Sequence, residues 1–169
     1  MNEISPKVSD AFAAAPKPKA LSIDQAHIIR SKIIDKCAAV ENWLSEQIST
    51  VEKPELMLSQ KIEQLKKLSN QKKISFKHTQ KLQDRLEAFR LFSDFRSEIV
   101  HSQMTFSRLD GEAILVFENA NQTCQKLLRK KMLVSADELN VFWKEMNEAA
   151  QALTTLKPIS PSGSPKQPE

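Results

Sequence analysis

Apolar residues recur at steps of three and four positions through most of the chain, which is the spacing of an amphipathic helix. Ser22 and Gln25 form a Ser-x-x-Gln pattern, typical of a capping box that begins a helix. They stand ahead of a first apolar stripe, formed by Ile29, Ile33, Cys37, Val40, Leu44 and Ile48. The pattern therefore predicts a long first helix with one buried face.

Two further helices are predicted before residue 105. Pro54 suits the first turn of the second helix, whose stripe is Leu58, Ile62, Leu65 and Leu68. A lysine-rich link at residues 70–73 follows it. The third helix is predicted from about Ser75 to His101 or Gln103, with a stripe of Leu82, Leu86, Phe89, Phe92 and Ile99.

The pattern changes to strands after the third helix. Residues 105–109 and 112–117 read as two short strands, joined at Asp110-Gly111, a pair that suits a type I′ turn. Ser135 and Glu138 form a second capping box. It opens a last helix with an inner face of Leu139, Phe142, Met146, Ala150 and Leu153.

Helix-breaking residues mark the boundaries of the domain. Seven of the eight prolines lie near the two ends of the chain, and between Ala20 and Leu156 there is one proline, Pro54, and one glycine, Gly111. A stretch so poor in breakers is typical of a mainly α domain. Pro-, Ser- and Lys-rich ends of this kind are typical of disorder.

The prediction is one mainly α domain at residues 21–156, between a disordered segment at 1–20 and a disordered Pro/Ser-rich tail at 157–169. Its expected architecture is an up-down antiparallel bundle of about four to five helices with one short β-hairpin. Residues 119–134 admit either helix or strand.

Charge and cysteine usage restrict the function classes. The 25 Lys and Arg residues against 21 Asp and Glu give a net charge of +4, which suits an acidic partner such as RNA without requiring one. Cys37 and Cys124 have no CxxC spacing, so neither a zinc site nor a disulfide framework is indicated, and no cofactor is expected. The first 20 residues lack a long apolar run, so the expected location is cytoplasmic, without a membrane partner.

Arg96 and His101 are the candidate catalytic residues. Arg offers a planar, permanently charged fork for phosphate oxygens, and His moves protons near neutral pH. Five positions on a helix turn through about 140°, so the two converge only through the length of Arg96, a distorted helix end or a groove between two protomers. The structural alternative is that Arg96 covers the rings of Phe92 and Phe95, and that His101 interacts with the helix dipole.

Basic side chains around the second helix are weaker candidates for binding RNA. They are Lys66, Lys67, Lys72, Lys73 and Lys77. A solvated helical face is the alternative for this run. Arg129-Lys130-Lys131 is a smaller second cluster.

The heptapeptide Phe95-Arg96-Ser97-Glu98-Ile99-Val100-His101, with a long first helix and a lysine-rich helical hairpin before it, resembles the HEPN superfamily (higher eukaryotes and prokaryotes nucleotide-binding). The resemblance implies an up-down helical bundle with an Arg, four to six intervening residues and a His. It also implies a metal-independent endoribonuclease site at Arg96 and His101, completed by dimerisation. Ser97, where the family often has Asn, Asp or His, and Glu98 are supporting candidates.

Three functions follow from these expectations. The first is a HEPN-like ribonuclease of single-stranded RNA, related to toxin–antitoxin or defence systems, with an antitoxin or another protein as partner. The second is a catalytically silent HEPN-like module that binds RNA, a nucleotide or a protein. The third is a structural helical interaction domain, because a fold alone does not fix a function.

Overall fold

The computed structural model describes residues 22–109, 112–119 and 131–159. Within these ranges the chain is mainly helical, as predicted, with a small antiparallel sheet. The elements are α1 (Ile23–Ser49), α2 (Leu58–Asn70), α3 (Thr79–His101), β1 (Ser102–Leu109), β2 (Glu112–Asn119), β3 (Lys131–Ser135) and α4 (Ala136–Thr154). The predicted N-terminal segment, and the tail beyond residue 159, lie outside the described residues.

Both predicted capping boxes are present. The Ser22 hydroxyl accepts from the Gln25 amide at 3.2 Å, and the Ser22 amide donates to the Gln25 side chain at 3.0 Å. Ser135 and Glu138 repeat this exchange at 3.1 and 2.8 Å. Each box satisfies amide donors that the first turn of a helix leaves free, so α1 and α4 begin where the sequence predicts.

The predicted start of α2 near Pro54 is wrong, because α2 begins at Leu58. The side chain of Gln64 explains the difference. Its amide nitrogen donates to the Lys53 carbonyl at 2.9 Å, and its oxygen accepts from the Glu55 amide at 2.9 Å. These bonds hold the residues around Pro54 alongside α2 instead of in its first turn.

The start of α3 is also later than predicted, at Thr79 instead of Ser75. The Ser75 carbonyl accepts from the Ile159 amide at 2.7 Å, and Phe76 forms a bridge with Pro158. Tertiary pairing therefore occupies backbone groups that a longer helix would use. Residues 158 and 159, which were predicted to belong to the tail, therefore pair with the segment before α3.

The four described helices pack around one apolar core. α1 contacts α2 and α4, α3 contacts α2 and α4, and α1 also contacts α3. The predicted stripe of α1 is buried along its whole length, and it meets buried residues of the other helices, including Ile62, Leu65, Leu86, Phe89 and Met146. None of the described helices has the length and apolar character needed to span a bilayer.

Side-chain contacts show the relative directions of α1 and α3. Arg30, near the start of α1, reaches the end of α3 at Ile99 and Ser102. Trp43, in the second half of α1, lies with its ring 6.5 Å from Phe76, just before α3. The two helices therefore run in opposite directions. In an up-down bundle, in which successive helices alternate in direction, the first and third helices would be parallel. The expected up-down arrangement is not confirmed.

The sheet has the order β1-β2-β3, with both pairings antiparallel. The predicted hairpin is present as β1 and β2, while its Asp110-Gly111 turn lies outside the described residues. β3 is a strand that the sequence left undecided. Alternation along the strands turns one face of the sheet to the helical core, with Met104, Leu115, Phe117 and Val134 buried.

The capping box of α4 gives the first prediction. Ser135→Ala removes the acceptor for the Glu138 amide and should lower the free energy of unfolding by about 1 kcal/mol. The control is Ser107→Ala, at an exposed position of β1. Urea unfolding followed by circular dichroism measures the free energy of unfolding of both variants. Equal unfolding midpoints for the two variants would contradict a capping role for Ser135.

Candidate functional site

The candidate site lies where α3 passes directly into β1. α3 ends at His101 and β1 begins at Ser102, whose backbone is already extended (φ −103°, ψ 146°). A glycine after a helix often lets the following backbone amides bind the last carbonyls. This helix end has no glycine, so its last carbonyls need other donors. The local geometry of His101 therefore depends on groups from elsewhere in the chain.

Arg30 of α1 supplies one of those donors and also binds the first residue of β1. Its Nη2 donates to the carbonyl of Ile99 at 2.8 Å and to that of Ser102 at 3.0 Å. The buried Ser102 hydroxyl donates to the Glu98 carbonyl. Backbone carbonyls on both sides of His101 are therefore bound.

The two proposed catalytic residues lie on different faces of α3. His101 is exposed, whereas Arg96 is half-buried, and its charge is close enough to Cys37 of α1 to act on the pKa of that thiol. α3 is a continuous helix over this interval, so the two positions are about 140° apart in rotation and about 7.5 Å apart along the axis. One protomer does not bring them together on one face.

Arg96 differs from the other half-buried arginines of the described chain. Arg30 donates to the end of α3, and Arg85 donates through Nη1 to the Ala152 carbonyl near the end of α4. Arg96 makes no hydrogen bond or ion pair with the described residues, whereas Arg30, whose Nε is likewise buried without a partner, is held through Nη2. A permanently charged guanidinium in this state can accept an anionic ligand without breaking an existing interaction.

The neighbour of Arg96, Cys37, is not a nucleophile at neutral pH. Burial raises the pKa of the Cys37 thiol to about 11, although the nearby Arg96 charge acts to lower it. The thiol is fully buried, and its sulfur lies 3.7 Å from the sulfur of Met146. Cys37 is therefore a core residue between α1 and α4.

The supporting candidates Ser97 and Glu98 are half-buried and lie one turn before His101. Residues three and four positions apart are neighbours on a helix surface. The structure therefore places Ser97 and Glu98 beside His101. The Glu98 carbonyl also belongs to the bound helix end, since it accepts from Ser102.

The candidate RNA-binding lysines lie away from His101. Lys66 is bound to Glu87 at 2.8 Å and to Glu63 at 3.6 Å, and the hydrogen bond to Glu87 raises the pKa of Lys66. Lys67, Lys72, Lys73 and Lys77 are exposed. The last three lie in the link before α3, at the opposite end of a 23-residue helix, which is about 35 Å long.

A groove beside α2 carries mostly negative charge. Its volume is about 600 Å³, and it is lined by Glu52, Glu55, Ser59, Gln60, Glu63, Gln64, Lys67, Arg90 and Asp94. Four carboxylates outnumber two cations in this set. The groove is therefore unfavourable for an RNA backbone, although it includes Lys67, one of the sequence-predicted lysines.

The register of the sheet brings a different basic residue near the helix end. Lys131 is paired with Glu118, which is paired with Gln103, two positions after His101. The backbone of Lys131 is therefore two strand spacings, about 10 Å, from that of Gln103. Arg129 and Lys130 lie outside the described residues. The sequence shows this cluster but not its place relative to His101, which depends on the pairing of the third strand.

No group of three or more His, Cys, Asp or Glu side chains that could hold a metal ion occurs within the described ranges. Comparison of the chain with protein-family models, with curated proteins and with solved structures finds no match in any of the three. The candidate site therefore stands on its own residues and their geometry.

The burial of Cys37 gives the second prediction. In a Cys124→Ser variant, Cys37 should react with a thiol reagent at pH 8 at least about 100-fold more slowly in the native state than in guanidinium chloride. The reason is that only the thiolate reacts, and with a pKa near 11 about one thiol in a thousand is ionised at this pH. Similar native and denatured rates, measured by absorbance, would show that the space between α1 and α4 is open.

Proposed function

We propose that this chain is a HEPN-like, metal-independent endoribonuclease acting on single-stranded RNA. Each site would combine Arg96 of one protomer with His101 of its partner in a homodimer. The observation that carries the proposal is the state of Arg96, the half-buried arginine without a partner among the described residues. His101 is exposed at a bound helix end on the same helix. The toxin or defence setting rests on the family resemblance.

The proposed reaction is a transfer within the RNA strand. The ribose 2′-hydroxyl attacks the adjacent phosphorus, and the bond from phosphorus to the 5′-oxygen breaks. One histidine takes the proton from the 2′-hydroxyl or gives one to the leaving 5′-oxygen, with water completing the exchange. Arg96 holds the phosphate oxygens and offsets the charge that builds on them. The products are a 2′,3′-cyclic phosphate and a 5′-hydroxyl.

The separation of the two residues within one helix supports the proposed dimer. A two-fold axis near the ends of the α3 helices would set Arg96 of each protomer opposite His101 of the other. Contacts of α2 with α3 run from the Ser69–Gln83 hydrogen bond to the Glu63–Arg90 ion pair. His101 lies about three turns beyond Arg90, past these α2 contacts, and its exposed side chain marks the place where the second protomer would dock.

A catalytically silent HEPN-like module is the second candidate. The specific observation in its favour is the position of Arg96, whose Nε is buried near Cys37, on a different face from His101. A guanidinium held in this way in every state would not reach a phosphate beside His101. The domain would then bind RNA, a nucleotide or a protein without cleaving it, or serve as a structural interaction domain.

Cleavage without metal gives the third prediction. The wild-type protein should cut single-stranded RNA in EDTA and leave a 2′,3′-cyclic or 3′-phosphate end. His101→Ala should lower the rate by ~10²–10⁴-fold, because the proton-transfer group is lost. Arg96→Lys should also lower it, because an ammonium keeps the charge but loses the planar fork. Labelled RNA resolved on denaturing gels measures the cleavage rate of each protein and identifies the product ends.

Matched controls separate chemistry from folding. His78→Ala removes an exposed histidine just before α3, and Arg108→Lys changes an exposed arginine of β1. Both should keep wild-type activity, and circular dichroism should show folded protein in every case. Full activity in His101→Ala, or loss of wild-type activity in EDTA, would contradict the mechanism. An inactive wild type that binds RNA would favour the silent module.

A further inference from the structure

We propose that Arg30 is a positioning residue for His101. Its guanidinium holds the end of α3 so that the imidazole is presented in one fixed direction at the start of β1. This inference rests on the proposed function for its catalytic meaning. The claim that a side chain of α1 fixes the position of His101 depends only on hydrogen bonds within the chain.

The geometry of the junction carries the inference. Arg30 Nη2 lies 2.8 Å from the Ile99 carbonyl oxygen and 3.0 Å from that of Ser102, so one nitrogen joins the last turn of the helix to the first residue of the strand. His101 lies between these two acceptors in the chain. The backbone on either side of the imidazole therefore cannot rotate without breaking a bond to Arg30.

Removal of the Arg30 guanidinium would take away the side-chain donor that the carbonyls of Ile99 and Ser102 share. A helix end in this state takes up water, frays or tightens. The Ser102 hydroxyl would still bind the Glu98 carbonyl, so the helix would remain while its last turn loosens. The first consequence is a wider range of directions for His101, because His101 is the last residue of α3.

Arg85 provides an internal control for this argument. It is also half-buried, and it donates to the Ala152 carbonyl in the last turn of α4. Arg30 and Arg85 are therefore similar, since each is an arginine of one helix that binds the end of another, although the Ala152 carbonyl also accepts from the Thr155 hydroxyl. Only the helix end bound by Arg30 carries His101. If both arginines only support the fold, RNA cleavage should fall to a similar extent after the loss of either one.

The test uses the full chain with Arg30→Met, Arg30→Lys and Arg85→Met. Amide hydrogen exchange by NMR measures the protection of Val100 and His101 in the last turn of α3. Arg30→Met should speed this exchange at least about 10-fold, while Arg85→Met should leave it within about twofold. In RNA cleavage, Arg30→Met should lower kcat by about 10-fold or more with KM within about twofold, since misplacement of a reacting group affects the chemical step.

Arg30→Lys keeps the positive charge and one donor atom, so it should lie closer to wild type than Arg30→Met in both measurements. Equal behaviour of Arg30→Met and Arg85→Met at Val100 and His101 would overturn the inference. If Arg30→Met fails to fold, Arg30→Lys is compared with Arg85→Met instead, using the exchange of Val100 and His101 and the change in kcat. A wild type without nuclease activity would refute the proposed function, and the exchange data would still decide whether Arg30 positions His101.

Discussion

Helix α3 passes into strand β1 without a connecting residue, and Arg30 of α1 binds carbonyls on both sides of this junction. The register of the sheet begins at this junction. Ser102 is paired with Asn119 at one end of the β1–β2 register, and Glu118 then pairs with Lys131 of β3. The apolar face of the sheet meets the helical core only in this alignment, since a shift of one residue turns every side chain to the opposite face.

Two arginines of this chain bind carbonyls at the ends of helices. Arg30 and Arg85 each place a charged donor on carbonyls that the helix itself cannot satisfy, where a cation is also favoured by the helix dipole. Arg96 has a comparable half-buried position but no such partner in the described residues. This contrast, more than the spacing of Arg96 and His101, is what marks Arg96 as a candidate for binding an anion.

Local sequence signals predicted the parts of the fold that depend on neighbours in the chain. The Ser22 and Ser135 capping boxes and the stripe of α1 are examples, because their partners lie within a few residues. The start of α2, the third strand and the relative directions of α1 and α3 depend on distant partners. The candidate site also depends on a distant partner. Arg96 and His101 form a motif that the sequence shows, whereas Arg30 binds Ser102 across 72 positions, which a local sequence pattern cannot predict.

The central functional claim is that Arg96 and His101 act from different protomers, and subunit mixing tests it most directly. Arg96→Ala and His101→Ala proteins, each inactive alone, are unfolded together and refolded. Random pairing in a two-fold dimer should then restore about a quarter of wild-type RNA cleavage, because half of the dimers carry one complete site of two. Activity that stays at the level of the separate variants, with mixed dimers confirmed by mass spectrometry, would contradict a site shared between protomers.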